Sequence, residues 1–358
     1  MSAFRLLLVE DSEQDRNACR DTVARYCDEK QRDIELIECG SVSEAFEKFD
    51  NSFDGAIIDL KLAGQGDEGN QVLSRIAELH FRIPVAVLTG TPDAANLEFA
   101  YIGVFKKGEP GAGYADLLDR FWGIYDTGLT RIMGGRGVIE ETLSKVFQKN
   151  LLPQSDKWVT YGKINPSKTE KALLRHTLNH LLQLLEDDEE RSFPEEMYLC
   201  PPLLDTIRTG SIIQSKRDEW FVVMNPACDL VIRRNGDCKT DRILLVEIEK
   251  EADVVSVALK NVFKSDKKKH KLLAVFGNNH ANYYHWLPNT SFFCGGFLNF
   301  RKLSTITKDE FNKNFMVSNI QISPPFVKDM VARFSSYYAR QGQPDIECAS
   351  FIEHLISN

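Results

Sequence analysis

Long apolar runs are missing from this chain of 358 residues. No stretch approaches the ~20 residues that cross a bilayer. The opening MSAFRLLLVEDSEQ has too short an apolar segment, followed too soon by acids, to serve as a signal peptide. A cytoplasmic location with no membrane partner is therefore expected. Cysteine pairs are missing as well. Cys19, Cys27, Cys39, Cys200, Cys228, Cys238, Cys294 and Cys348 are scattered without a CxxC spacing, which argues against a zinc ribbon or a disulfide framework. Surplus positive charge is also absent, since the net formal charge is -8. Residues 1–125 hold 13 Lys and Arg against 23 Asp and Glu, and the remainder 31 against 29, so the acidity belongs to one unit. Charge alone gives no reason to expect nucleic-acid binding.

What is present reads as an ordinary globular chain. Apolar residues make up 43% and charged residues 27%, which argues against disorder or a fibrous repeat. The length suffices for two domains with real cores, or three small ones.

The first third alternates short apolar runs with amphipathic stretches. FRLLLV (4–9) predicts a buried strand, and Glu10, Asp11 and Ser12 lead into a capped helix reaching about Tyr26. Further strands are expected at Ile34–Ile37, Gly55–Asp59, Pro84–Leu88 and Val104–Phe105. Helices are expected over Ser43–Phe49, Gln71–Leu79, Ala94–Tyr101 and Tyr114–Tyr125. Five strands alternating with five helices predict an α/β fold, a five-stranded doubly wound parallel sheet whose ligands sit beyond the carboxyl ends of the strands.

Several polar residues fall at those ends. Glu10 and Asp11 close the first strand, Asp59 the third and Thr89 the fourth, and Lys107 follows the fifth. Three converging carboxylates repel one another unless a divalent cation joins them, and a hard-oxygen set suits Mg²⁺. Lys107 and Thr89 beside such a cation make an anion site. One carboxylate oxygen of Asp59 then remains to attack phosphorus.

LLLVEDS, AIIDLKL, PVAVLTGT and VFKKG, in this order and each at a strand end, resemble the receiver (CheY-like) domain of two-component response regulators. The resemblance covers about the first third of the chain. It implies Asp59 as phosphoacceptor, Glu10, Asp11 and Asp59 as Mg²⁺ ligands with the backbone carbonyl of Lys61, and Thr89 and Lys107 as phosphoryl-binding groups. Gly90, the small residue after the threonine, would let the phosphodonor approach. A histidine kinase or kinase-like protein is the implied partner, and pairing of two copies through this domain is a further family expectation. Three positions depart from the family pattern. The proline after the lysine is Gly108, the aromatic position three before it is Val104 with Phe105 next to it, and the loop after Asp59 carries the extra acids Asp67 and Glu68. The competing reading is a receiver-shaped docking module that accepts no phosphate. Lys106 reads as a solvated strand-end charge.

The glycine-rich TGLTRIMGGR (127–136) marks a linker or hinge. The expected organisation is a receiver domain over 1–126, a helical linker region over 127–195 and an α+β output domain over 196–358. Helices are expected over 138–151 and 168–187. Short strands follow at 211–214, 220–224, 242–248, 272–276, 283–287 and 292–300, with a helix over 252–263 and two closing helices over 325–340 and 346–356. This pattern predicts a small bent sheet or barrel. GSIIQ and WFVVMNPACDL resemble the small barrels of bacterial toxin and defence-associated proteins, which raises a role in bacterial defence.

Catalytic signals in this part are sparse. His176 and His180 stand four residues apart, but HTLNH lacks the glutamate of a zinc-protease helix. VEIEK invites comparison with a nuclease Glu-x-Lys beside Asp229, yet the position two before Lys250 is Ile248. Cys228 with Asp229 and either His280 or His285 forms a candidate hydrolytic set joined by no motif, and a structural cysteine is the simpler reading. The basic run Lys264–Lys271, with Tyr283, Tyr284, Trp286, Phe292 and Phe293 downstream, leaves nucleic acid as the strongest alternative ligand. The run itself is expected to be a solvated turn. No winged-helix or helix-turn-helix pattern is present. The expectation is a response regulator with an atypical output domain, and no enzymatic activity beyond turnover of its own aspartyl phosphate. The alternatives are a receiver-gated nuclease or hydrolase, a nucleic-acid-binding effector, and a phosphorylation-silent adaptor.

Overall fold

The computed structural model describes residues 3–357 except 63, 65, 97–98, 100, 186–190, 232–237 and 341–345. The chain divides into two compact units, 1–188 and 189–358.

In the first unit the strands are β1 (Phe4–Val9), β2 (Ile34–Cys39), β3 (Gly55–Ile58), β4 (Val85–Thr89) and β5 (Gly103–Lys106). All neighbours are parallel, in the order β2-β1-β3-β4-β5. Successive side chains point to opposite faces, and both faces are covered. Phe4, Leu6 and Leu8 meet α1 (Glu13–Lys30) and α4 (Tyr114–Asp126), while Leu7 and Val9 meet α2 (Val42–Lys48) and α3 (Gly69–Glu78). Where the sequence reading placed a helix over 94–101, the described residues form a 3₁₀ turn over Pro92–Ala94. Leu97, Glu98 and Ala100 lie outside the described residues.

The glycine-rich segment read as a linker or hinge is held against the first unit. After α5 (Leu129–Met133), Arg82 bonds the Met133 carbonyl and pairs with Glu140, and Arg136 reaches the Asp54 carboxylate at 2.5 Å. At Gly135 a Cβ would meet the Asn51 carbonyl, so the chain lies directly on the strand-entry end of the sheet. Three helices follow, α6 (Val138–Val146), α7 (Ser155–Ile164) and α8 (Pro166–Leu182), of which α7 had no counterpart in the sequence reading. Residues 186–187 of the expected second linker helix lie outside the described residues. These helices fall within the first compact unit.

The second unit is built on one antiparallel sheet. Its strands are β6 (Tyr198–Leu199), β7 (Ser211–Ser215), β8 (Trp220–Val223), β9 (Arg242–Glu249), β10 (Tyr284–Leu287), β11 (Gly296–Thr307) and β12 (Phe315–Ile322). Their order is β10-β11-β9-β8-β7-β12-β6. Among the described residues the outer strands β6 and β10 do not pair, so the open-sheet alternative forms and the barrel does not. Register shifts at Leu298/Leu303 and Val317/Gln321 bend it. Helices α9 (Ala227–Leu230), α10 (Glu251–Leu259), α11 (Ser265–Phe276), α12 (Lys308–Asn314), α13 (Pro324–Tyr338) and α14 (Ala349–Ser357) complete the unit. Phe326, Val327, Met330, Val331, Phe334 and Tyr337 of α13 pack on the main core of the sheet.

Two expectations are corrected here. The strand expected over 272–276 is the last part of α11, because Leu272, Val275 and Phe276 recur at helical spacing and turn inward together. For the same reason the basic run 264–271 forms the exposed first turns of that helix rather than a turn before a strand. Strand β12, unforeseen, lies inside the sheet between β7 and β6.

Candidate functional site

Parallel strands deliver all their carboxyl ends to one edge, and the loops of β1, β3, β4 and β5 meet there. Ser12 caps α1 by accepting from the Asp15 N–H at 3.2 Å, which fixes the turn carrying Glu10, Asp11 and Asp15. Arg16 holds that turn from outside, donating to the carbonyls of Glu10 at 2.6 Å and Asp11 at 2.8 Å. The Asp59 N–H continues the sheet to the Val9 carbonyl at 2.9 Å, and the Lys107 N–H does so to the Thr89 carbonyl at 2.9 Å. Gly69 packs so closely beneath the loop after β3 that a Cβ would stand 2.2 Å from the Asp59 carbonyl oxygen. Only glycine lets α3 start there.

The side chains then converge. Glu10, Asp11 and Asp59 each offer a carboxylate oxygen within 4.8 Å of the others, the one such group of potential metal ligands among the described residues. Asp11 is exposed, while Glu10 and Asp59 are 2% and 5% exposed. Lys107 extends its ammonium into the cluster, 2.6 Å from Glu10, 2.8 Å from Asp59 and 2.8 Å from Asp15. Burial raises the Glu10 pKa, partly countered by the hydrogen bond and charge of Lys107. For Lys107 burial acts downward, but the carboxylates outweigh it and hold the ammonium well above the ordinary lysine range. Thr89 is fully buried at the end of β4, its hydroxyl accepting from the Thr91 N–H at 3.2 Å.

Every side chain predicted for this site is thus at the same edge. The Lys61 N–H donates to Asp59 Oδ1 at 3.1 Å, which turns the Lys61 peptide alongside that carboxylate. At Gly90 no atom lies within 4 Å of where a Cβ would project, so the approach beside Thr89 is open. Gly108 has φ +86°, a conformation proline cannot adopt. Val104 is 37% exposed, whereas Phe105 lies over Gly103 with the Arg120 guanidinium 5.2 Å from its ring centroid. Glu68 accepts from the Gly66 N–H at 3.1 Å, closing its own loop, and Lys106 pairs with Glu109 at 3.7 Å. Asp15 was missed by the sequence reading. Its signal was available, since an acid three residues after the capping Ser12 falls in the first helical turn beside the cluster.

Among the described residues no hydrogen bond or ion pair joins Cys228 or Asp229 to His280 or His285. His176 and His180 meet edge to face with ring centroids 4.8 Å apart, and His176 lies 6.1 Å from the Trp158 ring. Cys228 is exposed with its Sγ 3.7 Å from Asp229, which in turn lies 3.6 Å from Lys239. His285 is buried in β10 with its Nδ1 3.8 Å from Asp329. Glu247 and Glu249 share Lys302 at 2.7 and 2.8 Å. No helix among the described residues is long and apolar enough to cross a membrane.

No family model matches the chain, and no curated protein does. Among solved structures, its N-terminal third is similar to a CheY-like response regulator receiver domain protein from Methanospirillum hungatei JF-1, at 21% identity, 35% of this chain, 96% of that one and a TM-score of 0.28. A second is the N-terminal domain of a response regulator/sensory box/GGDEF 3-domain protein from Carboxydothermus hydrogenoformans, at 20%, covering 35% and 98% with a TM-score of 0.29. A third is a response regulator receiver domain protein from Clostridium thermocellum, at 18%, covering 35% and 98% with a TM-score of 0.29.

Proposed function

We propose that the first unit accepts a phosphoryl group on Asp59 from a histidine kinase or kinase-like donor, and that this state regulates the second unit. The observation that carries the reading is the single ammonium of Lys107 shared by Glu10, Asp15 and Asp59 at 2.6–2.8 Å. Three acids around one cation leave a surplus of negative charge beside an aspartate whose approach is open at Gly90.

The oxygens of Glu10, Asp11 and Asp59 suit a hard divalent cation such as Mg²⁺, with the Lys61 carbonyl as a further ligand. Bound there, Mg²⁺ would offset the charge of the incoming phosphoryl oxygens. The chain's own groups carry the transfer. An Asp59 carboxylate oxygen forms the new bond to phosphorus as the bond to the donor nitrogen breaks, and the donor imidazole keeps that electron pair and takes up a proton from water. Lys107 moves from the carboxylates to a phosphoryl oxygen, and Thr89 donates its hydroxyl to another. Receivers of this family commonly signal by a coupled movement of the threonine and an aromatic residue; here that position is Val104, and Phe105 lies over Gly103. Release of Lys107 from Asp15 at the start of α1 is the rearrangement this geometry offers.

The test is label transfer from radiolabelled acetyl phosphate to the full chain. One hydroxylamine-labile phosphoryl group in the wild type and none in Asp59→Ala is the expected outcome. Equal labelling of both would contradict the assignment.

A further inference from the structure

On the second unit a cluster of cations and rings sits where the segment before β10 meets the end of α13. The Arg301 guanidinium lies 3.6 Å over the Tyr283 ring centroid. Tyr283 and Tyr337 have centroids 6.3 Å apart, and the Arg340 guanidinium is 6.0 Å from that of Tyr337. The order Arg301, Tyr283, Tyr337, Arg340 sets two rings between two cations. Arg333, one helical turn before Tyr337, lines a cleft of about 380 Å³ with Tyr337, Arg340, Asn282 and Ser336. Its guanidinium is fixed there by donating to the carbonyls of Asn278 at 2.9 Å and Tyr284 at 3.0 Å.

Among the described residues none of these three arginines takes part in an ion pair. The adjacent cation shows the contrast, since Lys302 is neutralised by Glu247 and Glu249. The one acid on this stretch of α13, Asp329, lies toward His285 at 3.8 Å. Planar guanidinium groups match phosphate oxygens, and tyrosine rings offer faces on which unpaired bases stack. A cleft of this volume accepts a nucleotide-sized group and not a duplex. The basic first turns of α11 carry no tyrosine. Of the aromatics downstream of it, Trp286 packs on Phe276, Phe293 is buried against Tyr198 and Trp220, and Tyr284 donates to Glu249 at 2.7 Å.

We propose that this cleft, together with the Arg301–Tyr283 pair beside it, binds single-stranded nucleic acid, with Arg301, Arg333 and Arg340 on its phosphates and the rings of Tyr283 and Tyr337 against its bases. The inference rests on the second unit alone and does not depend on chemistry at Asp59.

The test uses the full chain and fluorescence anisotropy of a labelled oligothymidylate and a labelled oligouridylate at increasing salt. Binding of at least one is expected, its affinity falling with a log–log salt slope of about -2, since each phosphate contact on a single strand adds about -0.7. Arg301→Gln and Arg340→Gln, both at exposed positions, should each weaken binding and flatten that slope by about 0.7. Tyr337→Ala should cost about fivefold or more in affinity, and Tyr337→Phe should restore it because stacking needs the ring and not the hydroxyl. Replacing Lys267, Lys268 and Lys269 of α11 by Gln should change the affinity less than twofold. Failure of the wild type to bind either oligonucleotide at low salt would overturn the proposal. So would equal competition by duplex DNA, by a mononucleotide or by polyglutamate, or loss of binding in the α11 variant with Arg340→Gln unaffected.

Discussion

The two sheets of this chain treat ionisable residues differently, and strand direction explains the difference. In the parallel sheet of the first unit every strand ends on the same edge, so Glu10, Asp59, Thr89 and Lys107, far apart in sequence, are forced together. In the antiparallel sheet of the second unit successive strands end on opposite edges. There Glu247, Glu249 and Lys302 neutralise one another along neighbouring strands, while Arg301 comes from a bulged strand, Arg333 from α13 and Arg340 from just beyond it. Parallel topology concentrates chemistry at strand ends. Antiparallel topology disperses it over faces and helix flanks.

The largest effect that would break this comparison is at Asp59. Asp59→Ala should abolish phosphoryl acceptance while leaving oligonucleotide affinity of the unphosphorylated chain within twofold. Loss of both would mean that the two units do not carry separate chemistries.

Acid should separate the units next. His285 is 3% exposed, and burial with the nearby Arg333 lowers its pKa to about 4, against the small upward pull of Asp329. A depressed folded-state pKa gives stability that is present above the unfolded value near 6.5 and is lost as pH falls toward 4. The second unit should therefore lose about 3 kcal/mol between pH 7 and pH 4 through this group. Hydrogen exchange resolved by segment checks it, with His285→Gln removing the pH-dependent part. A loss confined to the first unit would contradict the assignment.

A smaller effect is expected at Gly69. Gly69→Ala drives a methyl group toward the Asp59 carbonyl and should destabilise the first unit by about 1–3 kcal/mol, measured by urea unfolding. The smallest effect sharpens the electrostatics of the acid edge. Asp15→Asn removes a negative charge that holds Lys107 at 2.8 Å. Beryllofluoride, which stands in for the phosphoryl group, should bind about threefold tighter at saturating Mg²⁺, while Mg²⁺ alone binds more weakly. Calorimetry separates the two, and a variant that weakens both ligands would show Asp15 to be merely structural.

What could be read from the sequence follows the same division. FRLLLV, AIID and PVAVLT are built on apolar runs because parallel strands are buried on both faces; the second and third end on Asp59 and Thr89, and the first is followed at once by Glu10 and Asp11. Asp15 escaped notice because its role depends on where the α1 cap aims it, not on a strand end. In the second unit β12 (FMVSNIQI) carries polar residues among its apolar ones and gave no run to see, and LLAVF in α11 has a length that suits strand and helix equally. The ladder of Arg301, Tyr283, Tyr337 and Arg340 joins residues from three segments through tertiary packing, so no local pattern announces it.

The central claim is that the acid edge of the parallel sheet is a working phosphoryl-acceptor site, and ligand-linked stability tests it most directly. A ligand bound only by the folded state raises the unfolding midpoint by mass action. Mg²⁺ with beryllofluoride should raise the thermal midpoint of the first unit in the wild type and leave that of Asp59→Ala unchanged. An unchanged midpoint in a well-folded wild type, or an equal rise in both, would contradict it.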